Sequence, residues 1–373
     1  MKRVALFSIT YHPFIGGAEI AIKEFTDRIT DVEFDLFTAR LNVRLPQKER
    51  IGNVNVYRLG SGRSFLDKLL FPWRASRLAI QLHSQRSYDL IHAIMATYAG
   101  WAALKFKDKI PSVPYLLTLQ SGDSDEFIKK RTWFWERRYS EIYTKADKIT
   151  AISNWLKDRA QKYGYKKDVE IIPNGVDIEK FDIEISKEER DSIRGSWGAS
   201  ESDIVLITTS RLVHKNGIDT LIDNMRLFPQ NVKLVIAGEG EEEKKLREQA
   251  NEFGDRVKFL RNVEHDKIPK LLKSADMFFR LSRSEGMGNS FVEAKAAGLL
   301  VVGTDVGGIK DLISQEIVLE YDTSRVSSVI KQIKNNPDIY NKLRDSGKDK
   351  VKELFNWNNI SNQYNKEYKK LIL

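Results

Sequence analysis

Short apolar runs alternate along the chain with longer stretches in which apolar residues return at three- and four-residue intervals. Residues 4–9 form the first run, a Pro/Gly turn follows, and Ala18, Ala21, Ile22, Phe25 and Ile29 then recur at helical spacing, which predicts strand, loop and helix. Further strand-like runs fall at 32–37, 54–58, 90–94, 115–119 and 148–152, with helical segments between them. That alternation predicts a parallel sheet with helices on both faces. It pauses at Pro173-Asn-Gly-Val-Asp-Ile-Glu-Lys-Phe181 and through a polar stretch, then restarts with runs at 204–208, 233–237, 257–260, 277–281 and 299–303. The expected organisation is α/β, with two Rossmann-like parallel-sheet domains at 1–180 and 181–354 and a terminal segment at 355–373. In that segment Trp357, Ile360, Tyr364, Tyr368 and Leu371 again have helical spacing.

Length agrees with two domains, since 373 residues exceed what one hydrophobic core usually organises. With 41% hydrophobic and 30% charged residues the chain reads as globular. No run approaches the roughly 18 apolar residues of a membrane span. The opening MKRVALFSITYHPF is too short in its apolar part for a signal peptide. A cytoplasmic chain is therefore expected. Zero cysteines exclude disulfides and thiolate metal sites and agree with a reducing compartment.

Charge changes the picture of the first half. Residues 1–180 hold 30 Lys+Arg against 21 Asp+Glu, so the formal excess of +9 lies there and the remainder balances, 31 against 31. Much of it sits in two stretches, 63–77 and 127–139, where cations are interleaved with Trp, Phe and Leu. Two readings stand: a peripheral attachment to an anionic membrane surface at the inner face, or ordinary amphipathic helices with a solvated basic side. No recognised nucleic-acid motif accompanies the charge, so nucleic acid is not expected as a partner.

Candidate chemistry concentrates in the second half. The loop Ser210-Arg-Leu-Val-His-Lys-Asn-Gly217 carries Arg211 and Lys215 just before a helix, where they could neutralise a diphosphate. A solvated basic loop is the alternative. Ligands of open parallel sheets bind beyond the carboxyl ends of strands, and two such sheets facing one another would enclose one cleft. In Arg283-Ser-Glu-Gly-Met-Gly-Asn-Ser-Phe-Val-Glu293, Gly286 and Gly288 permit close backbone approach, and Ser290 is the expected N-cap of a helix reaching Ala297. Ser290 and Glu293 also fit a capping box, which gives Glu293 a structural alternative. Glu285 precedes the glycines and has no such alternative. Carboxylates beside a phosphate site need other partners, and sugar hydroxyls suit them. A diphosphate between two sugars, a nucleotide sugar, meets both demands.

At these residues the chain resembles a family 4 glycosyltransferase, a retaining enzyme of the GT-B fold with two Rossmann-like domains facing across a cleft. The likeness runs nearly the whole length, through Tyr11-His-Pro-Phe-Ile-Gly-Gly-Ala-Glu19, Ala151-Ile-Ser153, Ile172-Pro-Asn-Gly-Val-Asp177, Arg211-x-x-x-Lys215-x-Gly217, Ala237-Gly-Glu-Gly240, Ser274-Ala-Asp276, the Glu285/Glu293 pair and Asp305-x-Gly307-Gly308. The resemblance implies that Arg211 and Lys215 hold the donor diphosphate and stabilise the leaving nucleotide, aided by Gly288, Asn289, Ser290 and Phe291. It implies Glu293 on the ribose and Glu285 near the reacting carbon, so that Glu285, Arg211 and Lys215 are the catalytic set. Gly16, Gly17, Gln120 and Asn174 would line the acceptor side, and residues 355–373 would cross back to the first domain; a helix capping its own domain is the alternative. No metal and no cofactor is implied, because fixed cations and a helix dipole replace the divalent ion. The acceptor would be a glycan or a lipid-linked glycan precursor.

Two departures stand out. Gln120 occupies a place where many relatives carry histidine, and Lys310 rather than proline precedes Asp311. Rival classes are a nucleotide-sugar epimerase of related fold and a non-catalytic nucleotide-sugar-binding protein. A metal-dependent site at Asp123-Ser-Asp125 and a dinucleotide site at Gly238-Glu-Gly240 are weaker, since the first motif is short and the second lacks its third glycine.

Overall fold

The computed structural model describes residues 1–313, 318–319 and 336–372. It divides into two compact units, one of Met1–Asn174 with the chain from Trp357, the other of Gly175–Asn356.

Unit 1 holds strands β1 (Lys2–Phe7), β2 (Val32–Ala39), β3 (Lys48–Ile51), β4 (Val54–Leu59), β5 (Leu90–Ile94), β6 (Tyr115–Leu119), β7 (Lys148–Ala151) and β8 (Val169–Ile171). Its helices are α1 (Gly17–Arg28), α2 (Ser64–Gln85), α3 (Tyr98–Lys109), α4 (Asp125–Thr132), α5 (Glu136–Thr144) and α6 (Asn154–Lys162), with a tight turn Trp133–Trp135 between α4 and α5. The sheet order is β3-β4-β2-β1-β5-β6-β7-β8, parallel except for the antiparallel pair β3/β4. Central strands such as β5 and β6 are buried at every position, which is why they read as apolar runs, each interrupted by one polar residue, His92 and Thr118. β3, Lys-Glu-Arg-Ile, escapes such a reading because it is a charged edge strand with no buried residue.

Unit 2 holds α7 (Ile178–Phe181), α8 (Lys187–Ser196), β9 (Ile204–Thr209), α9 (Ile218–Asp223), β10 (Val232–Ala237), α10 (Glu243–Ala250), β11 (Val257–Leu260), α11 (Ile268–Ser274), β12 (Met277–Arg280), α12 (Asn289–Ala296), β13 (Leu300–Thr304), α13 (Ile309–Ile313), β14 (Val318–Leu319) and α14 (Pro337–Leu354). Its sheet is wholly parallel, in the order β11-β10-β9-β12-β13-β14. The division lies a few residues before 180. Val176 pairs with Asn356 as a parallel bridge, and its N–H donates to the Phe355 carbonyl at 2.9 Å, so the Asn-Gly-Val-Asp turn from Gly175 onward belongs to unit 2.

The chain ends in α15 (Trp357–Ile372), which packs on unit 1. Trp357, Ile360, Tyr364 and Tyr368 are buried against Phe25 of α1 and the strands beneath it, and the Tyr364 ring stacks on Phe25 at 4.7 Å. His92 of β5, wholly buried, bonds the Tyr368 hydroxyl at 2.8 Å and Thr118 at 2.7 Å. Burial lowers its pKa to about 3, so the imidazole is neutral and joins the helix to the sheet as a polar peg.

Candidate functional site

Among the parallel strands of each sheet the order reverses between β1 and β5 in unit 1 and between β9 and β12 in unit 2. Loops leaving the carboxyl ends of two such strands diverge and leave a crevice where ligands bind. In unit 2 those loops are Ser210–Gly217 after β9 and Leu281–Gly288 after β12. The topology thus brings Arg211 and Lys215 beside Glu285 and Gly288.

Glycine makes the approach possible. Gly217 has φ +64°, and a Cβ there would collide with the Leu281 carbonyl oxygen. Substituents on Gly238 and Gly240 would strike the carbonyl oxygens of Ser210 and Leu212, and Leu212 N–H donates to Glu239 O at 2.8 Å. The Ala237-Gly-Glu-Gly240 turn is therefore a backbone support for the Arg211 loop, and its glycines serve packing in place of a dinucleotide pyrophosphate. Arg211 is exposed, and its guanidinium has no hydrogen bond or ion pair to another described residue. Lys215 is half-buried and accepts the Arg283 N–H on its carbonyl at 2.8 Å. Arg283 itself is committed, since Asp219 takes its guanidinium at 2.7 and 2.8 Å. Burial pushes the Asp219 carboxyl up, but that fork holds it below its ordinary value.

Glu285 has a structural role after all. Its carboxylate pairs with Arg280, the last residue of β12, and Oε1 accepts the Gly286 N–H at 3.0 Å. Arg280 is 7% exposed and also donates to Ser290 Oγ at 2.8 Å and Asn216 Oδ1 at 2.9 Å. Asn216 in turn donates to the Arg211 carbonyl at 2.7 Å. One buried guanidinium thereby ties together the β9 loop, the β12 loop and α12. The late Gly-Gly pair completes the cradle: Gly308 N–H donates to the Glu285 carbonyl at 3.0 Å, and a Cβ on Gly307 would collide with that oxygen.

Ser290 does not cap its helix. Gly288, in the left-handed region at φ +95°, is the N-cap, and Ser290 lies inside α12 with its hydroxyl taken by Arg280. The capping box with Glu293 is likewise absent, because Glu293 accepts His265 Nε2 at 3.1 Å. His265 Nδ1 meets Lys180 Nζ at 3.0 Å. A lysine ammonium offers donors only, so Nδ1 is the acceptor and the Nε2 proton faces Glu293. Lys180 also pairs with Asp266, and the Phe181 ring meets His265 edge-on at 5.8 Å. The Phe291 ring is fully buried against Phe278 at 5.1 Å, and its N–H donates to Gly288 O at 2.9 Å. Asn289 is half-buried at the first position of α12.

In unit 1, Gly16 and Gly17 open α1 beside the end of β1, and a Cβ on Gly16 would press on the Glu19 carboxylate, which pairs with Thr10. Gln120, after β6, donates to Asn174 Oδ1 at 3.1 Å, joining two of the acceptor-side candidates. The Gln120 Oε1 is buried without a hydrogen-bond partner among the described residues, and Gln120 lines a small pocket with Thr97, Ser121, Ile128, Tyr139 and Arg159. Asp123-Ser-Asp125 is occupied otherwise: Asp125 pairs with Arg159 and Lys162, and Asp123 accepts Ser121 Oγ at 3.0 Å. Among the described residues no cluster of three or more His, Cys, Asp or Glu could hold a metal ion.

Sequence reasoning did not single out Arg280, Asn216 or His265. Arg280 ends an apolar run and reads as a strand terminus, while His265 lies 28 residues from Glu293 in a polar loop. A charged residue closing a buried strand was the available signal for Arg280.

The family model described as Glycosyltransferase Family 4 matches residues 15–180, and that described as Glycosyl transferases group 1 matches 189–350. The chain belongs to the family 4 glycosyltransferases. A glycosyltransferase of Methanocaldococcus jannaschii, itself uncharacterised, is 27% identical, with 98% of each chain covered. The alpha-monoglucosyldiacylglycerol synthase of Streptococcus pneumoniae is 25% identical over 84% of this chain and 74% of its own. Anabaena HepE in complex with UDP-glucose superposes with a TM-score of 0.80 at 20% identity, covering 99% of this chain and all of that one. The fold is that of GT-B glycosyltransferases, with two parallel-sheet α/β domains. Among the described residues, no helix of this glycosyltransferase is long and apolar enough to cross a membrane.

Proposed function

We propose that this glycosyltransferase takes a nucleoside-diphosphate sugar as donor in unit 2 and transfers the sugar, with retention of its anomeric configuration, to a hydroxyl of a glycan or lipid-linked acceptor. The observation that carries the reading is the exposed, uncommitted guanidinium of Arg211 at the strand-order reversal, supported by Asn216 and Arg280 beside two fixed carboxylates. A diphosphate there gains forked charge-assisted hydrogen bonds from Arg211 and a point charge from Lys215, while the α12 end adds its dipole. Charge building on the leaving phosphate is stabilised by the same groups, without a metal.

Glu285, oriented by Arg280 and the Gly286 N–H, faces the sugar near the reacting carbon. Glu293, aimed by the His265 proton, accepts the ribose hydroxyls. The acceptor is assigned to unit 1, with Gln120, Asn174 and the Gly16-Gly17 loop on its side; an amide at 120 can hydrogen-bond a sugar but cannot act as a base. The leaving phosphate takes the proton of the attacking hydroxyl. HepE, which binds UDP-glucose, and the pneumococcal synthase, which makes a glycolipid, support the donor and acceptor classes.

A thermal-shift screen of nucleotide sugars tests the reading. One donor should raise the unfolding temperature, and Arg211→Ala or Glu293→Ala should abolish the shift. No response to any nucleotide sugar, or a response unchanged in both variants, would overturn it. Proton NMR of the transferred linkage checks retention, and full activity after chelation checks metal independence.

A further inference from the structure

Helix α2 is amphipathic in the wrong sense for water. Phe71, Ala75 and Ala79 are buried on its inner side, yet Phe65, Leu66, Leu69, Leu70 and Trp73 are 74, 48, 46, 41 and 49% exposed on the outer side. Asp67 pins this start of the helix, accepting the Ser61 N–H at 3.0 Å and the Arg63 N–H at 2.7 Å, so the apolar side is held outward. A second exposed set, Phe127, Trp133 and Trp135, is 46, 65 and 58% exposed on α4 and the turn after it.

The two sets adjoin. Lys105 of α3 places its ammonium 4.9 Å from the Trp73 ring, and Trp101 meets Trp135 edge-on at 5.9 Å. Trp101 and Lys105 are one helical turn apart and lie on the same side of α3, so α2 and the Trp133–Trp135 turn flank one face. Exposed apolar residues gathered on one face mark a binding surface. Exposed cations surround this one, Arg63 just before α2 and Arg77 on it, and Lys129, Lys130, Arg131 and Arg137 on the other side, against exposed Glu126 and Glu136.

We propose that unit 1 docks on an anionic lipid bilayer through the apolar face formed by α2, α4 and the Trp133–Trp135 turn. Tryptophan and leucine enter the headgroup–acyl boundary, where an indole is at home, and the surrounding lysines and arginines meet anionic headgroups. Contact with a second copy of the chain would bring these like charges together, so charge complementarity selects the bilayer. The face also lies close to the candidate acceptor pocket. Helix α4 belongs to both, since Phe127 is exposed and the next residue, Ile128, is buried and lines the pocket beside Gln120. An acceptor with its hydroxyls in the pocket and its lipid in the bilayer fits that arrangement; this last link rests on the transfer reaction proposed above, whereas the docking does not.

Flotation of the intact protein with vesicles of phosphatidylcholine alone, and of phosphatidylcholine with phosphatidylglycerol, tests the docking. Binding is expected to the mixed vesicles and to be reversed by salt. The Trp73→Glu/Trp133→Glu and Lys129→Glu/Lys130→Glu/Arg131→Glu variants should each weaken it on the order of a hundredfold while melting as the parent does. Absence of vesicle binding, or binding unchanged by salt and by both variants, would overturn the proposal. So would a dimer seen by light scattering that the tryptophan variant dissolves without any vesicle binding, which would give the face to a second copy. The donor-induced thermal shift, measured on the same variants, separates the two proposals: it should persist whatever flotation shows, and its absence in the parent protein counts against the donor reading alone.

Discussion

Where unit 2 reverses its strand order, Arg280 holds Glu285, Asn216 and Ser290, His265 separately holds Glu293, and the exposed Arg211 guanidinium has no such partner among the described residues. The corresponding point of unit 1 carries a glycine turn, and nearby a neutral amide pair, Gln120 with Asn174, in which the Gln120 Oε1 has no hydrogen-bond partner among the described residues. The strand plan is shared, and the chemistry differs entirely in the loops. A site for a fixed, highly charged group needs pre-oriented charge, because charge held in place costs no reorganisation when the ligand arrives. A site for neutral hydroxyls needs amides and backbone with room to adapt.

The sharpest way to break this contrast is to remove the tie in unit 2. Arg280→Met should destabilise unit 2 by about 1–3 kcal/mol, because the buried Asn216 and Ser290 oxygens lose their donor and the half-buried Glu285 carboxylate loses its cation. Denaturant unfolding of the variant measures it, and Arg280→Met/Glu285→Gln should recover much of the loss. Transfer activity should fall in both. If Arg280→Met alone leaves stability and activity intact, the buried guanidinium is not what holds the loops.

Next comes the closeness of the loops. Gly217→Ala should cost several kcal/mol, since the added methyl must displace the Leu281 carbonyl as well as occupy positive φ. Gly198→Ala is the control: it closes the C-terminal end of α8 at φ +73°, nothing lies within 4 Å, and only the left-handed backbone preference of about 1 kcal/mol is lost. Comparable melting temperatures for the two would refute the close-approach argument.

In unit 1 the comparison turns on a histidine that is structural. His92 titrates at about 6.5 when unfolded and about 3 when buried, so in between the unfolded chain binds the proton and the folded chain does not. Stability is therefore complete above 6.5 and declines as pH falls toward 3, up to about tenfold in the folding equilibrium per pH unit. His92→Gln should flatten the slope between about pH 6.5 and 5, above the carboxylate range. A slope unchanged by the substitution would show that other groups set it. The smallest effect is expected of Arg211→Lys, which keeps the charge and loses the fork: donor affinity should drop about tenfold with melting unchanged, as isothermal titration would read.

Residues Val4, Leu90 and Tyr115 revealed their strands because a parallel strand covered on both faces is apolar at most of its positions, a local rule visible in one dimension. Helix α15 was legible for the same reason, through one apolar stripe. Arg211, Lys215 and the paired glutamates stood out by type and spacing. Ser290 misled, because Ser-x-x-Glu satisfies the capping pattern equally well when its hydroxyl is claimed by an arginine ten residues away. Nothing local marked His265 for Glu293.

The sequence alone, then, determined the two sheets, their restart after the Asn-Gly-Val-Asp turn and the residue types at the reversal points, since burial and turn geometry act over a few neighbouring positions. Which polar groups meet was decided by tertiary structure. A hydrogen bond such as Arg280 to Asn216 spans 64 residues, and its partner is chosen by where two loops emerge from a folded sheet.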